Sequence, residues 1–280
     1  MLTEKKVLFM NKIMPRFGLL TDPVEPVPNE IVRFKRLGFD YVEIGIEEPT
    51  ATPQSLSKQR KRILKALSDN EMFAIGHTAY WVQFGSSHNK ARTGWIEEAK
   101  DMIRVASLLK LELLNFHFYG RLGRVGVTQE STSTFVANFT AAMRELTKFA
   151  KTKKVQLMLE NVPTESNGIG KIQNFSAVMG GVPELKFHLD VGHAFIENRM
   201  EGVKSYIDAF AERLVHTHLH DNHGKEDEHL PLGYGKIDFK KIVAWLREIN
   251  YAKTITFEVF TSYRDAVRSR EYLKKLWIRT

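Results

Sequence analysis

The stretch Phe187-His188-Leu189-Asp190-Val191-Gly192-His193, with Val215-His216-Thr217-His218-Leu219-His220-Asp221 further on, decides the reading of this chain. In each, a short apolar run ends in histidine and carboxylate. A strand buried on both faces reads this way when its far end opens into a polar centre. The same signature recurs on either side. Upstream lie Ala74-Ile75-Gly76-His77, Asn115-Phe116-His117 and Leu157-Met158-Leu159-Glu160-Asn161; downstream lies Thr256-Phe257-Glu258-Val259. Six consecutive strand candidates thus end in His, Glu or Asp.

With two earlier apolar runs the count reaches eight: Phe17–Leu20, Tyr41–Ile46, Met72–Gly76, Leu113–Phe118, Val155–Leu159, Leu185–Leu189, Leu214–Leu219 and Thr254–Val259. Helical patterns separate them. Asp238 is placed to cap a helix in which Phe239, Ile242, Val243, Leu246 and Ile249 recur at helical spacing, and Phe135, Phe139, Met143 and Leu146 do the same earlier. Strand–helix alternation implies parallel strands joined by right-handed crossovers. Eight units of roughly 35 residues predict a closed (β/α)8 TIM barrel occupying 1–280 as one domain. A doubly wound open sheet would want a glycine-rich turn after the first strand, and Leu20-Thr21-Asp22-Pro23 offers none.

Composition excludes other classes. A content of 43% hydrophobic, 11% aromatic and 26% charged residues is that of a globular chain and not a disordered one. No run approaches the roughly 18 apolar residues of a membrane span, so no membrane partner is expected. The apolar run in MLTEKKVLFMNKIMPR is too short for a secretory leader, which makes a cytoplasmic protein the expectation. The absence of cysteine removes disulfides, thiol catalysis and thiolate zinc sites. The excess of 41 basic over 33 acidic residues, +8, permits an anionic partner without requiring one. The basic runs Lys58 to Lys65 and Arg264 to Lys275 lie on helical patterns and read as solvated faces.

In a TIM barrel the reactive face is the C-terminal end of the strands. Carboxylates gathered there are costly to bury unpaired, by several kcal/mol each. Glu160, Asp190 and Glu258 therefore call for a cation near the axis. Imidazole and carboxylate without thiolate suit zinc, manganese, iron or cobalt. Any one of these histidines reads equally well as a packed core residue; a run of them at successive strand ends does not. His188, His216 and His220 are expected to support or pack behind the site, and His88 and His223 to lie in loops. Asp227 and His229, two apart in a turn-rich loop, become credible ligands beside such a pole.

These motifs resemble the xylose isomerase-like TIM barrel superfamily, which holds sugar (phosphate) isomerases and epimerases and endonuclease IV. The resemblance spans most of the chain and rests on LENVP (Glu160), HLDVGHAF (Asp190, His193), VHTHLHDN (His218), DEHLPLGYGKIDF (Asp227, His229) and TFEVF (Glu258). The epimerase branch implies one divalent metal, manganese or zinc, on Glu160, Asp190, His218 and Glu258. It also implies Glu160 and Glu258 as the catalytic proton-transfer pair, and His193 as a substrate contact. The endonuclease IV branch implies three zinc ions on nine ligands: His77, His117 and Glu160 on the first, Glu160, Asp190, His218 and Glu258 on the second, His193, Asp227 and His229 on the third. Tyr80 also resembles that branch.

Tyr41-Val42-Glu43-Ile44-Gly45-Ile46-Glu47-Glu48-Pro49 departs from the nuclease, whose second strand feeds a basic loop. Three glutamates there would repel phosphates. The leading expectation is thus a metal-dependent sugar or sugar-phosphate isomerase or epimerase, working by proton transfer through a metal-stabilised enediolate. An endonuclease IV-like phosphodiesterase, with nucleic acid as partner, is the alternative, and a non-catalytic sugar-binding barrel comes third. Lys225, Arg121 and Arg124 are candidate contacts for a substrate phosphate. An oligomer is possible.

Overall fold

The structure is a computed structural model, and residues 14–120, 128–163 and 169–279 are described. Eight parallel strands close in sequence order: β1 (Arg16–Leu20), β2 (Tyr41–Ile46), β3 (Phe73–Thr78), β4 (Leu113–His117), β5 (Gln156–Glu160), β6 (Lys186–Asp190), β7 (Leu214–Leu219) and β8 (Thr254–Phe257). Eight helices alternate with them: α1 (Val27–Arg36), α2 (Pro53–Asp69), α3 (Asn89–Leu108), α4 (Gln129–Thr152), α5 (Ile172–Gly181), α6 (Val191–Phe210), α7 (Phe239–Glu248) and α8 (Tyr263–Arg279). All eight expected strands are present, most shifted by a residue. The third runs on to Thr78, so His77 lies within the strand rather than beyond it.

The outer layer follows from helical spacing. In α7, Phe239, Ile242, Val243 and Leu246 are buried, and Asp238 caps the helix by accepting from Lys241 N at 3.2 Å. Burying each such side chain contributes about 1.5–3 kcal/mol. The α4 stripe buries Phe135, Phe139, Met143 and Leu146. Its rings meet Phe118 edge-on, and Phe118 meets Phe175 the same way, which joins the fourth and fifth units. Arg270 departs from the solvated α8 face expected of it: it is buried, stacks over Phe39 at 4.6 Å and donates to Leu37 O. Among the described residues no helix is long and apolar enough to cross a membrane.

Inside the barrel, Tyr41, Ile75 and Met158 form a small cluster apart from the core between sheet and helices. Gly18 makes room for it, since a Cβ there would fall 2.4 Å from the Tyr41 ring. Side chains alternate along a strand, so the residues two further on face the same interior. Those residues are Glu43, His77 and Glu160. The apolar floor is thus topped by a polar pole, and the pole is the C-terminal one.

Candidate active site

Six of the strands, β3 to β8, deliver a group to this pole. His77 comes from β3, His117 from the end of β4, Glu160 from the end of β5, Asp190 from the end of β6, His218 from β7 and Glu258 from just past β8. The register sets neighbours side by side: His117 beside Glu160, and Asp190 beside His218. The junction after β6 has no loop. Asp190 ends the strand and caps α6, its Oδ1 accepting from His193 N at 2.6 Å. One cap therefore fixes Asp190 and places His193 in the first turn of the helix.

Asp227 and His229 arrive on the long β7–α7 connection. Asp221 organises it: its carboxylate accepts from the backbone N–H of Asn222 (2.9 Å), Gly233 (2.9 Å), Gly235 (2.8 Å) and Ile237 (3.1 Å). Backbone bonds between Asp221 and Leu230 close the turn. The loop folds back so that Asp227 Oδ2 meets His193 Nε2 at 3.0 Å and His229 Nε2 at 3.1 Å. His220 Nε2 lies 3.2 Å from Asp190 Oδ1 and 3.5 Å from Asp227 Oδ1.

At the centre, His117 Nε2 is 3.0 Å from Glu160 Oε2, and Asn115 donates to the same oxygen at 2.5 Å. His77 Nε2 lies 3.6 Å from Glu160 Oε2 and 3.9 Å from Glu258 Oε1. His218 Nδ1 lies 3.1 Å from Glu258 Oε1 and 3.9 Å from oxygens of both Glu160 and Asp190. It makes no hydrogen bond to any of them; Asp190 Oδ2 and both ring nitrogens of His77 are likewise buried without one. Buried polar atoms left in this state cost roughly 1–3 kcal/mol each. Two ligands about 2.1 Å from one ion stand roughly 3.0–3.4 Å apart; the His218–Glu258 separation of 3.1 Å falls in that range, and those of 3.6–3.9 Å need to close by a few tenths of an ångström around a shared cation. The donor set suits a divalent ion on Glu160, Asp190, His218 and Glu258. His77 with His117 and Glu160, and His193 with His220, Asp227 and His229, form further groups whose ligand atoms lie within 4.8 Å of one another.

The electrostatics follow from burial set against pairing. Burial pushes the Glu160 carboxyl up, but His117 and His188 outweigh it and hold the group well below the carboxylate range. Glu258 is likewise pushed up by burial and pulled down by His218 and His229, to about 2. Burial opposes protonation of His218 and His193, yet Glu258 and Glu43 raise the first, and Asp190 and Asp227 the second, well above the ordinary histidine value. Burial and the neighbouring His218 keep His188 neutral.

A pH dependence follows. A histidine raised on folding contributes stability that is full below about pH 6.5 and is lost as the pH climbs through the raised value. Metal-free protein is therefore expected to melt at progressively lower temperature as the pH rises from neutral. A divalent ion, replacing those protons, should reverse the loss. Thermal melts with chelator and with zinc check this; a metal-free melting point that climbs over the same range contradicts it.

Gly192 imposes a second condition on this wall. A Cβ there would lie 2.0 Å from His220 Cε1. Gly192→Ala is expected to push His220 off Asp190 and to cost about 1–3 kcal/mol in overpacking. Urea denaturation measures the loss, and an unchanged midpoint contradicts the packing argument.

Above these groups lies a cavity of about 540 Å³ lined by His77, His117, Glu160, His193, Asp227, His229 and Glu258, with Glu47, Tyr80, Tyr119 and Phe260 at its walls. A family model described as xylose isomerase-like TIM barrel matches residues 31–276. The chain belongs to this family. Two curated relatives cover most of it: the MJ1311 protein of Methanocaldococcus jannaschii, 28% identical over 90% of this chain and 85% of its own, and the fructoselysine 3-epimerase of Escherichia coli O157:H7, 24% identical over 87% and 89%. A crystal structure of a D-tagatose 3-epimerase-like protein superposes with a TM-score of 0.83 at 26% identity, covering 94% of this chain and 97% of that one.

In this xylose isomerase-like barrel the residues singled out from sequence are sorted by depth. The nine candidate ligands converge on the pole. Tyr80 stands at the cavity wall, half-exposed, in edge-on contact with Tyr119 and Trp81. Lys225 is exposed on the β7–α7 connection, away from the described cavity lining. Arg121 and Arg124 lie outside the described residues. His88 precedes α3 and is exposed, and His223 is exposed and paired with Glu228. His188 and His216 are fully buried behind the pole.

The second strand requires a correction. Glu43 does not face an incoming phosphate. It is wholly buried in the barrel, because it shares the parity of Tyr41 and turns inward. Only Glu47, at the cavity wall, and the exposed Glu48 stand near the mouth.

Proposed function

We propose that this protein is a divalent-metal-dependent sugar isomerase or epimerase acting on a ketose, free or phosphorylated. The observation that carries the reading is the convergence of Glu160, Asp190 and His218, with Glu258 3.1 Å from His218, beneath a cavity of about 540 Å³, a volume suited to one small ligand. The similarity to proteins named as sugar 3-epimerases supports it. An ion on these four residues, zinc or manganese, supplies Lewis-acid stabilisation of negative charge on a substrate oxygen. Glu160 and Glu258 stand ionised on separate strands around the cavity. One removes a carbon-bound proton and the other returns it to the opposite face. His193, fixed by the α6 cap and by Asp227, contacts a substrate hydroxyl, and Tyr80 lines the cavity wall beside the open-chain sugar.

A second reading has its own observation. The histidine groups around His117 and around His229 can hold further cations, and clustered metals suit phosphodiester cleavage. The deciding assay offers metal-loaded protein two panels: ketoses and their phosphates in deuterium oxide, and a duplex with one abasic site. Deuterium wash-in at a sugar carbon supports the epimerase. Incision of the duplex without turnover of any sugar overturns it in favour of the nuclease.

A further inference from the structure

Behind the pole lies a second polar layer that the proposed chemistry does not use. Glu43, His188 and His216 are wholly buried there, with Thr254 and Thr256 beside them. Glu43 Oε2 collects three donors: His216 Nε2 at 3.0 Å, His218 Nε2 at 3.0 Å and Thr256 Oγ1 at 2.5 Å. His216 is itself fixed, since its Nδ1 lies 2.8 Å from Thr254 Oγ1. A carboxylate accepts and does not donate, so both imidazoles turn an N–H toward it. For His218 this has one consequence. With Nε2 held as the donor to Glu43, Nδ1 is the nitrogen left to bind an ion in place of a proton, and Nδ1 is the atom facing Glu160, Asp190 and Glu258.

We infer that Glu43 is a positioning residue: it fixes the tautomer and ring orientation of His218 so that Nδ1 binds the cation at the pole. The inference rests on the metal-dependent reading given above and extends it to a residue the reaction never touches. Two features support it. Glu43 comes from β2, which supplies none of the four ligands, yet it reaches across to the ligand on β7. Its second donor, His216, and Thr256 hold the carboxylate in place independently of His218. A buried carboxylate behind a liganding imidazole also raises that imidazole's basicity toward the metal, and its loss typically lowers affinity about 10- to 100-fold.

The test has two arms. In the first, full-length zinc-loaded wild-type protein with nitrogen-15 histidine is examined by long-range proton–nitrogen correlation. His218, assigned from its loss in His218→Asn, should show a metal-bound Nδ1 and a protonated Nε2. Coordination through Nε2, or an unprotonated Nε2, overturns the inference without any Glu43 variant. In the second, zinc affinity of Glu43→Leu, which removes every acceptor at this place, is measured by chelator competition, with metal-free melts alongside. The expected result is an affinity lowered about 10- to 100-fold, with His218 no longer held in one tautomer. Wild-type affinity in Glu43→Leu overturns the inference and leaves the metal reading standing. Wild-type protein that takes up no divalent ion overturns both.

Discussion

Glu258→Gln is expected to retain much of the metal site while losing exchange of a substrate carbon-bound proton with solvent deuterium. The carboxamide keeps the volume and one oxygen but cannot take up the proton. General acid–base catalysis contributes about 100- to 10,000-fold, and the loss should lie in that range. The neighbourhood gives the variant a reason to fold: Glu258 reaches no deeper than the pole, and its backbone oxygen already accepts from His229 Nδ1 at 3.0 Å. The measurement is deuterium incorporation by mass spectrometry on whichever ketose turns over, with bound metal determined on the same sample. Wash-in at the wild-type rate removes Glu258 from the proton-transfer pair.

Asp190→Asn tests the metal directly. Asparagine caps a helix about as well as aspartate, so the start of α6 and the placement of His193 should persist. What is lost is one charge among the three carboxylates around His218 Nδ1. Removing a ligand should cost more than the roughly 10- to 100-fold typical of a supporting partner. Elemental analysis after dialysis at limiting metal reads the outcome; full occupancy in Asp190→Asn refutes the assignment of Asp190 as a ligand.

The barrel was legible because six of its eight strands repeat one local rule, an apolar run ending in a charged or imidazole side chain. Strands buried on both faces leave few other ways to write such a segment. The pole was legible for the same reason: His117, Glu160 and Asp190 are the last residues of their strands. Glu43 was misread as part of a loop acid cluster, although its parity with Tyr41 and Gly45 in an unbroken strand already assigned it to the interior. His220 was harder. Its place against Asp190 and Asp227 depends on a connection that folds back through four backbone N–H bonds to Asp221, and no local periodicity records a contact of that kind. The helices yielded to spacing, but Arg270 did not, because its burial is decided by Phe39 and Leu37, far away in sequence.

The missing loop between β6 and α6 divides the mouth of the barrel into a side that can change and a side that cannot. Where strand and helix meet at Asp190, an inserted residue would turn the carboxylate away and drag His193 with it. The connections after β3 and β7 are freer only over their exposed stretches, since Val82 and Phe84 are buried in the first and Asp221 ties Gly233, Gly235 and Ile237 in the second. Descendants of this sequence that acquire new substrates should therefore differ in length at 87–88 and 225–226 and keep the sixth junction invariant. A library that randomises loop length at each position would show the same asymmetry, with functional members recovered from the first two sites and not from the third.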